Sequence, residues 1–358
     1  MVGSNIDGRV LVTGGCGSVG SVLVRYLLEH CEPSKIVVFD NDERRLFEQQ
    51  VSSEYPESRV EFELGDVRDL DRLNGVVRDA RHIVHAAALK QVPQCERQPY
   101  ESIKTNVDGT NNIITLAKRH DVESVLTVST DKATNPSSVM GASKLLAERV
   151  TLRADQRTGP DGPSFSSVRL GNVIGSSGSV VPLFLQQIED GGPVTLTDDR
   201  MTRFAISKAD AAAFITGHIG EQTSGVTYLP QLRSLRIEDL AEVMCELYAD
   251  RSPGSAGVQI EEVGRRPGER LHEVLIGPDE RHRTAVTDEK YVVHPPATDA
   301  GSQPTGMPPH ELPEEGLSSH HPSPMNYAEI RELLEQSAVT EPAAAQNLGG
   351  QSVAQQND

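Results

Sequence analysis

The sequence predicts an α/β protein: a doubly wound parallel sheet with a smaller mixed α/β lobe for a substrate. Three observations carry this. From residue 8 to about 230, short apolar runs alternate with amphipathic helical stretches, the pattern of a parallel sheet covered by helices on both faces. A glycine-rich turn, "VTGGCGSVG", joins the first apolar run to the first helix. From about residue 180 the alternation gives way to a mixed pattern with more loops.

The elements follow in order. "RVLVTG", "KIVVFD", "VEFELGD", "HIVHAA", "SVLTVST" and "SFSSVRLGNV" are rich in β-branched residues and short enough to be strands. "SVGSVLVRYLLEH" and "VDGTNNIITLAKRH" have helical periodicity between them. "STDKATNPSSVMGASK" begins as a strand end and finishes as a helix start. In the second lobe "RIEDLAEVMCELYAD" reads as a helix. The expected organisation is a nucleotide-binding domain with the catalytic stretch over 1–180. A substrate lobe follows over 181–292, with segments returning to the sheet. Residues 293–337 are a Pro/Ser/His-rich segment with one short helix, "MNYAEIRELLEQ", and 338–358 are an expected disordered tail.

Composition narrows the function. The chain has 358 residues and a net charge of -18, which disfavours nucleic acid and anionic membranes as partners. Arginine outnumbers lysine, and acids outnumber both together. An acidic, lysine-poor surface suits a salt-rich cytoplasm; an arginine-rich genome with an acidic tail gives the same composition. The four cysteines, Cys16, Cys31, Cys95 and Cys245, have no metal-ligand spacing and suggest no disulfide framework, so no metal is expected. No charged-then-apolar signal segment opens the chain, and no apolar run approaches the roughly 20 residues that span a bilayer. A cytoplasmic protein with no membrane span is expected.

In the glycine-rich turn, Gly14, Gly17 and Gly20 form GxxGxxG, with Ser18 and Val19 between the last two. Such glycines let the backbone turn tightly and approach a pyrophosphate, whose charge meets the helix N-terminus. Strand, turn, helix and second strand occur in the Rossmann-type order. Asp40 ends the second strand, some twenty residues beyond the last glycine. A carboxylate there accepts hydrogen bonds from ribose hydroxyls and repels a 2'-phosphate, favouring NAD over NADP. Arg44 and Arg45 follow closely and act against that preference. Asp66 and Val67 follow the third strand, where the acid is placed to meet an adenine amino group. Ala86, Ala87 and Ala88 follow the fourth, small enough for backbone to pass under a dinucleotide; ordinary close packing explains them equally.

Several segments in order, "HAAALKQVPQCERQP", "KTNVDGT", "STDKATNP", "RLGNVIGSSGSVVPLF", "TLTDDRMTRF" and "RRPGERLHE", extend this pattern to about residue 275. Together they resemble the extended short-chain dehydrogenase/reductases. Within that superfamily they resemble the UDP-N-acetylglucosamine 4,6-dehydratases of the polysaccharide-biosynthesis group. The resemblance implies a redox-neutral NAD-dependent reaction. Oxidation at sugar carbon 4 acidifies the hydrogen on carbon 5, the 6-hydroxyl leaves as water, and a hydride returns to carbon 6. It also implies that Asp131 is the acid and Lys132 the base. Asp131 must then start protonated, and Lys132 must be partly neutral through desolvation or a nearby cation. Asn106, in "KTNVDGT", and Lys144 are implied at the cofactor.

Met140 stands where such enzymes usually carry a tyrosine that takes the 4-hydroxyl proton, with Lys144 four residues on. Methionine exchanges no proton. The resemblance extends to a subgroup with Met at this place, chiefly membrane-anchored proteins associated with keeping the configuration at carbon 5; tyrosine-bearing relatives invert it. The anchoring region of that subgroup has no counterpart here, so a soluble form is expected. Thr130 is the nearest hydroxyl in sequence; a water chain or Asp131 serving twice are the alternatives.

For the UDP-sugar, Asn172 and Arg203 are expected at the diphosphate, the latter through its planar fork. Arg266 and Glu269 resemble diphosphate and ribose contacts. Lys90 and Glu96 are expected at the sugar, and Pro182, Thr195 and Thr197 at the uridine. A homo-oligomer is expected, because relatives assemble through helices beside the active site. Two other functions compete: a UDP-sugar 4-epimerase, which needs the tyrosine, and a non-catalytic NAD- or nucleotide-sugar-binding protein, for which Met140 is the best support.

Overall fold

The computed structural model describes residues 6–52, 54–158, 162–221, 223–249, 257–266, 268–296 and 312–337. The expected tail over 338–358, and residues 297–311 of the Pro/Ser/His-rich segment, lie outside the described residues.

Six strands form in the expected places: β1 (Arg9–Thr13), β2 (Lys35–Asp40), β3 (Val60–Leu64), β4 (His82–His85), β5 (Ser124–Thr130) and β6 (Ser164–Leu170). With the later strand Thr227–Pro230 they make a parallel sheet in the order β3-β2-β1-β4-β5-β6 and then Thr227–Pro230. Two antiparallel strands, Lys290–Val293 and Thr284–Val286, extend that edge. The order reverses between β1 and β4, and in such sheets the crevice at the carboxyl ends of those strands takes ligands.

The central strands are apolar because both faces are covered. On one face α1 (Gly20–His30) and the helix Lys208–Thr216 pack over Val10, Val12, Ile36 and Val84. The other face, with Leu11, Val37, Ile83 and Val125, is covered by α3 (Leu70–Val77), α6 (Gly109–Arg119) and α7 (Val139–Gln156). Helix starts follow their caps. The Asp42 side chain accepts from Arg45 N at α2 (Glu43–Gln50), Asp69 from Arg72 N at α3, and Ser138 from Gly141 N at α7. Two short helices, α4 (Val92–Arg97) and α5 (Pro99–Ser102), precede a π turn over Ile103–Asp108. The helix expected over 107–120 therefore becomes α-helical only at Gly109.

One expected strand is really two. "SFSSVRLGNV" breaks at Gly171, and Asn172–Val173 leaves the main sheet to pair with Thr202–Ile206. A Cβ on Gly171 would lie 2.8 Å from Phe204 O, so only glycine passes this crossing. The break carries Asn172 into the second lobe. That lobe has its own core, where the helices Val180–Glu189, Ile237–Leu247 and Tyr327–Gln336 meet. Among the described residues, no helix is long and apolar enough to cross a membrane.

A buried ion network ties the returning chain to the sheet. Arg169 on β6 is fully buried. It donates to Glu148 Oε1 and Oε2 on α7 (3.1 and 2.7 Å), to Glu280 Oε2 and Oε1 (2.7 and 3.0 Å), and to Leu275 O (2.9 Å). All five guanidinium donors are used. Those carboxylates hold the guanidinium charged, well above its usual range, and Arg169 holds the Glu280 carboxyl down at about 2. Arg169→Met should leave Glu148 in the core without its ion-pair partner and Glu280 with Arg283 alone, and cost ~3–5 kcal/mol in denaturant unfolding. A loss under about 1 kcal/mol, the scale of an exposed pair, would show that the network does not hold the fold.

Candidate active site

The first cleft opens at the β1–β4 reversal. Gly14 turns the chain with a φ of 66°, and its N–H donates to Phe39 O at 2.8 Å. A Cβ there would lie 2.7 Å from the Ala87 backbone, and one on Gly20 only 2.2 Å from Gly14 O. Glycine is thus what lets β1, the end of β4 and the start of α1 close around one cradle. Every expected cofactor residue except Asn106 and Lys144 lines this cleft.

Asp40 also works for the protein. Its Oδ2 accepts from Cys16 N (2.9 Å) and its Oδ1 from Asp42 N (3.1 Å), so it pins the glycine-rich turn from the cleft wall. The two arginines beside it are neutralised locally: Arg45 pairs with Asp42 at 3.3 Å and Arg44 with Glu48 at 2.9 Å. Asp66 is gripped by the Arg68 guanidinium, which holds its carboxyl below the usual range. Asn106 does not line the cleft. Its side chain accepts from Leu89 N (2.7 Å) and donates to Leu89 O (3.0 Å) and Ser143 Oγ (2.8 Å), fixing the strand exit above α7.

A second cavity of about 600 Å³ adjoins the first; Gly178 lines both. Lys132 faces it, as do Asn172, Pro182, Thr195, Thr197, Arg203, Arg266 and Glu269. Two expected substrate residues do not. Lys90 lines the first cleft instead, because the chain turns into α4 just after it, bringing Val92 and Pro93 to the substrate side. Glu96 is spent on the fold: its Oε1 accepts from Val139 N at 2.7 Å, at the start of α7. Arg203 faces the cavity, yet its fork is engaged, donating to the carbonyls of Thr202 (2.7 Å), Leu271 (3.0 Å) and Arg270 (2.9 Å). Arg266, which is exposed, lines the same wall, and Arg270, which the sequence did not single out, joins it with its guanidinium donating to Ser137 Oγ (3.1 Å) and Asn135 O.

The catalytic stretch is a tight device. β5 ends at Thr130, a 3-10 turn spans Asp131–Ala133, and α7 packs so closely on it that a Cβ on Gly141 would lie 2.3 Å from Lys132 O. Of the five residues expected to be catalytic, only Lys132 lines the cavity. Asp131 is 0% exposed. Its Oδ1 accepts from Thr130 Oγ1 and from Lys132 Nζ, both at 3.0 Å, while Oδ2 has no hydrogen-bond partner among the described residues. Burial raises its pKa, against the pull of Lys132. Met140 is buried, and its carbonyl accepts from Ser143 Oγ at 2.7 Å. Lys144 is buried too, donating to Val128 O at 2.6 Å; burial pushes its pKa down to about 8, with Glu148 opposing.

The surroundings of Lys132 pull in two directions. Burial does work against its charge, but two carboxylates outweigh it: Asp131 at 3.0 Å and Glu273 at 3.4 Å. Its pKa is raised, where desolvation alone would lower it. Its Nζ also donates to Asn172 Oδ1 at 3.3 Å. Glu273 was missed. It is the last letter of "RRPGERLHE", and nothing in the sequence tells it from Glu269 as a partner for a lysine more than a hundred residues away.

The chain that carries this two-chambered site has known relatives. Residues 10–295 match the model of a family described as polysaccharide biosynthesis protein. The chain belongs to that family. The chain is 42% identical over 294 residues to an uncharacterized membrane protein of Methanocaldococcus jannaschii, covering 82% of this chain and 87% of the relative. It is 36% identical over 288 residues to a UDP-N-acetylglucosamine 4,6-dehydratase (inverting) of Campylobacter jejuni, covering 80% and 83%. The solved structure of Pen from Bacillus thuringiensis superposes with a TM-score of 0.82 at 29% identity, covering 91% of this chain and 97% of that one.

In this member of the polysaccharide biosynthesis family, Lys144 is buried on α7 with its Nζ on Val128 O of β5, and its charge is lost as pH rises past about 8. Because its pKa lies at about 8, turnover should fall as pH rises through that value, measured as initial rate from pH 6 to 10. A flat profile to pH 10 would show that the Lys144 charge plays no part.

Proposed function

We propose that the protein is an NAD-dependent hydro-lyase that converts a UDP-N-acetylhexosamine, UDP-N-acetylglucosamine first, to its 4-keto-6-deoxy derivative. The observation that carries this is the Asp131–Lys132 pair at the junction of a dinucleotide cradle and a polar cavity with its own arginines. An epimerase has no use for a proton-transfer pair aimed at a leaving hydroxyl.

The residues of the first cleft fit NAD. The space that a Cβ on Gly14 or Gly20 would fill is the close approach a pyrophosphate needs, and Asp40 offers its carboxylate at the ribose position. When bound there, NAD supplies the hydride acceptor and donor. Everything else falls to this chain. Arg266 and Arg270 face the diphosphate, and Asn172 helps hold Lys132 toward the sugar. Lys132, the member of the pair that lines the cavity, carries the proton transfer at carbons 5 and 6. Asp131, whose burial favours the protonated form, stands 3.0 Å behind Lys132 to exchange protons with it. Thr130 Oγ1, on the other side of the Asp131 carboxyl, is the nearest hydroxyl to the position Met140 leaves without a base.

A nucleotide-sugar substrate makes the cytoplasm the proposed compartment. Copies are proposed to associate through the helices flanking the catalytic turn, where Tyr100 on α5 and Leu146 on α7 are exposed.

The direct test is incubation of purified protein with UDP-N-acetylglucosamine, with and without added NAD, read by mass spectrometry. Loss of one water with no net NAD reduction is expected, with carbon 5 configuration read from the product by NMR. Lys132→Ala should slow it by about 10²–10⁴-fold. A new isomer of unchanged mass would make the protein an epimerase, and untouched nucleotide sugars across a panel would make it a binding protein.

A further inference from the structure

The first cleft is walled by residues from the first 105 of the chain, with two additions: Ser177 and Gly178. These belong to the loop between the strand Asn172–Val173 and the helix Val180–Glu189. The later part of the chain, which builds the substrate lobe, thus supplies one piece of the cofactor chamber. We propose that this loop is a strap across the cofactor, latched by Ser18 and Ser177, that keeps the reduced cofactor in place between the two hydride transfers. The proposal rests on NAD in the first cleft and on redox-neutral dehydration, and deepens that reading.

Two adjacent residues of the loop reach the exits of the two strands between which the cleft opens. On the β1 side, Ser18 stands in the glycine-rich turn just before α1. Its Oγ accepts from Ser177 N at 2.9 Å and donates to Ser177 Oγ at 3.1 Å. A hydroxyl has one proton to give, so Ser18 commits its donor to the strap. On the β4 side, Gly178 packs on the side chain of Gln91, where α4 begins: a Cβ on Gly178 would lie 2.0 Å from Gln91 Nε2. Gly178 also lines the substrate cavity, as does Ser179. The buried Ser179 Oγ has no hydrogen-bond partner among the described residues. The strap is therefore one wall shared by both chambers.

The loop is held by these contacts rather than by core packing. Ser177 and Gly178 are exposed, and the loop's own backbone bonds are local: Ser176 N donates to Val173 O (3.2 Å) and Ser179 N to Ser176 O (3.0 Å). Gly175 and Gly178 bracket it at φ 69° and 71°, values that glycine adopts without strain. Small residues at the two ends of a short loop are where a closing segment hinges. The latch bonds join neutral groups in an exposed position, so they are weak enough to open for loading and still slow escape. A redox-neutral reaction needs that delay. The hydride taken from carbon 4 has to be returned at carbon 6 from the same cleft, after water has left. A reduced cofactor lost in between would end the cycle at the 4-keto sugar with its 6-hydroxyl still attached.

The test is cofactor release from the full chain loaded with NADH. Lactate dehydrogenase and excess pyruvate consume whatever leaves, so release is read as loss of nicotinamide fluorescence. Ser177→Ala, which loses the side-chain bond, should release NADH about 3–10-fold faster than wild type. Ser18→Ala, which loses both bonds, should exceed it. Ser177→Thr keeps the hydroxyl and the N–H and should stay within about twofold of wild type. Melting temperature and UDP binding should be unchanged in Ser177→Ala, because the residue is exposed. Given UDP-N-acetylglucosamine, Ser177→Ala should leave NADH free in solution, where wild type leaves none. Release from Ser177→Ala as slow as from wild type would overturn the proposal. So would an equal acceleration in Ser177→Thr, since a latch is restored with its hydroxyl. Wild type that takes up no NADH would overturn the NAD reading of the cleft and the latch with it. Wild type that holds NADH through Ser177 but releases no water from any nucleotide sugar would instead overturn the dehydratase reading.

Discussion

A single buried guanidinium decides where the segment that returns to the sheet, residues 275–283, lies. Arg169 reaches from the sheet to α7 on one side and to the Gly277–Arg283 region on the other, with every N–H donated. A buried charge in such a place is tolerated only if its partners stay. The partners are more than a hundred residues apart in sequence, so the returning chain has one register. That register lays the strand Val274–Ile276 alongside the catalytic turn and brings Glu273 to Lys132. The lobe and the sheet meet at a defined spacing because of an interaction that touches no ligand.

The site is then governed by charge balance in a small volume. Lys132 and Arg203 face Asp131 and Glu273, and none of the four is more than partly exposed. The carboxyl sealed from solvent with one cation beside it tends to hold its proton; the one between two cations loses it. A lysine between two carboxyls is drawn toward its charged form in spite of burial. An argument from desolvation alone therefore misses the two carboxylates that pull the Lys132 pKa the other way. Met140 is buried beside this arrangement and brings no exchangeable proton to it.

Close approach is the second constraint. Gly14, Gly20, Gly141 and Gly171 each sit where a Cβ would come within 3 Å of a neighbouring atom. The first two shape the dinucleotide cradle, the third seats α7 on the catalytic turn, and the fourth diverts the chain between sheets. The glycine-rich cradle was legible because its three glycines are spaced for one turn beside a strand. The other two are isolated in sequence, and their reason exists only across the fold.

Local chemistry explains what the sequence by itself determined. Apolar runs of strand length, helix caps at Asp42, Asp69 and Ser138, and a glycine-rich turn between strand and helix depend on residues a few positions apart. They specified the sheet, the cleft and the glycines, Asp40, Asp66 and alanines that line it, and they carried Lys132, Asn172 and the arginine-bearing loop to the substrate side. Tertiary structure decided the rest. Lys90 and Glu96 share one short segment, yet one faces the cofactor and the other caps a helix, because α4 turns between them. Arg203 reaches the cavity with its fork already taken by carbonyls. Glu273 became a partner of Lys132 through a buried ion pair and the hydrogen bonds of Ser318 and Ser319 from the chain's last described segment. Charges act through space, and their strength depends on how much water is removed around them. Neither quantity is written in the spacing of residues along the chain.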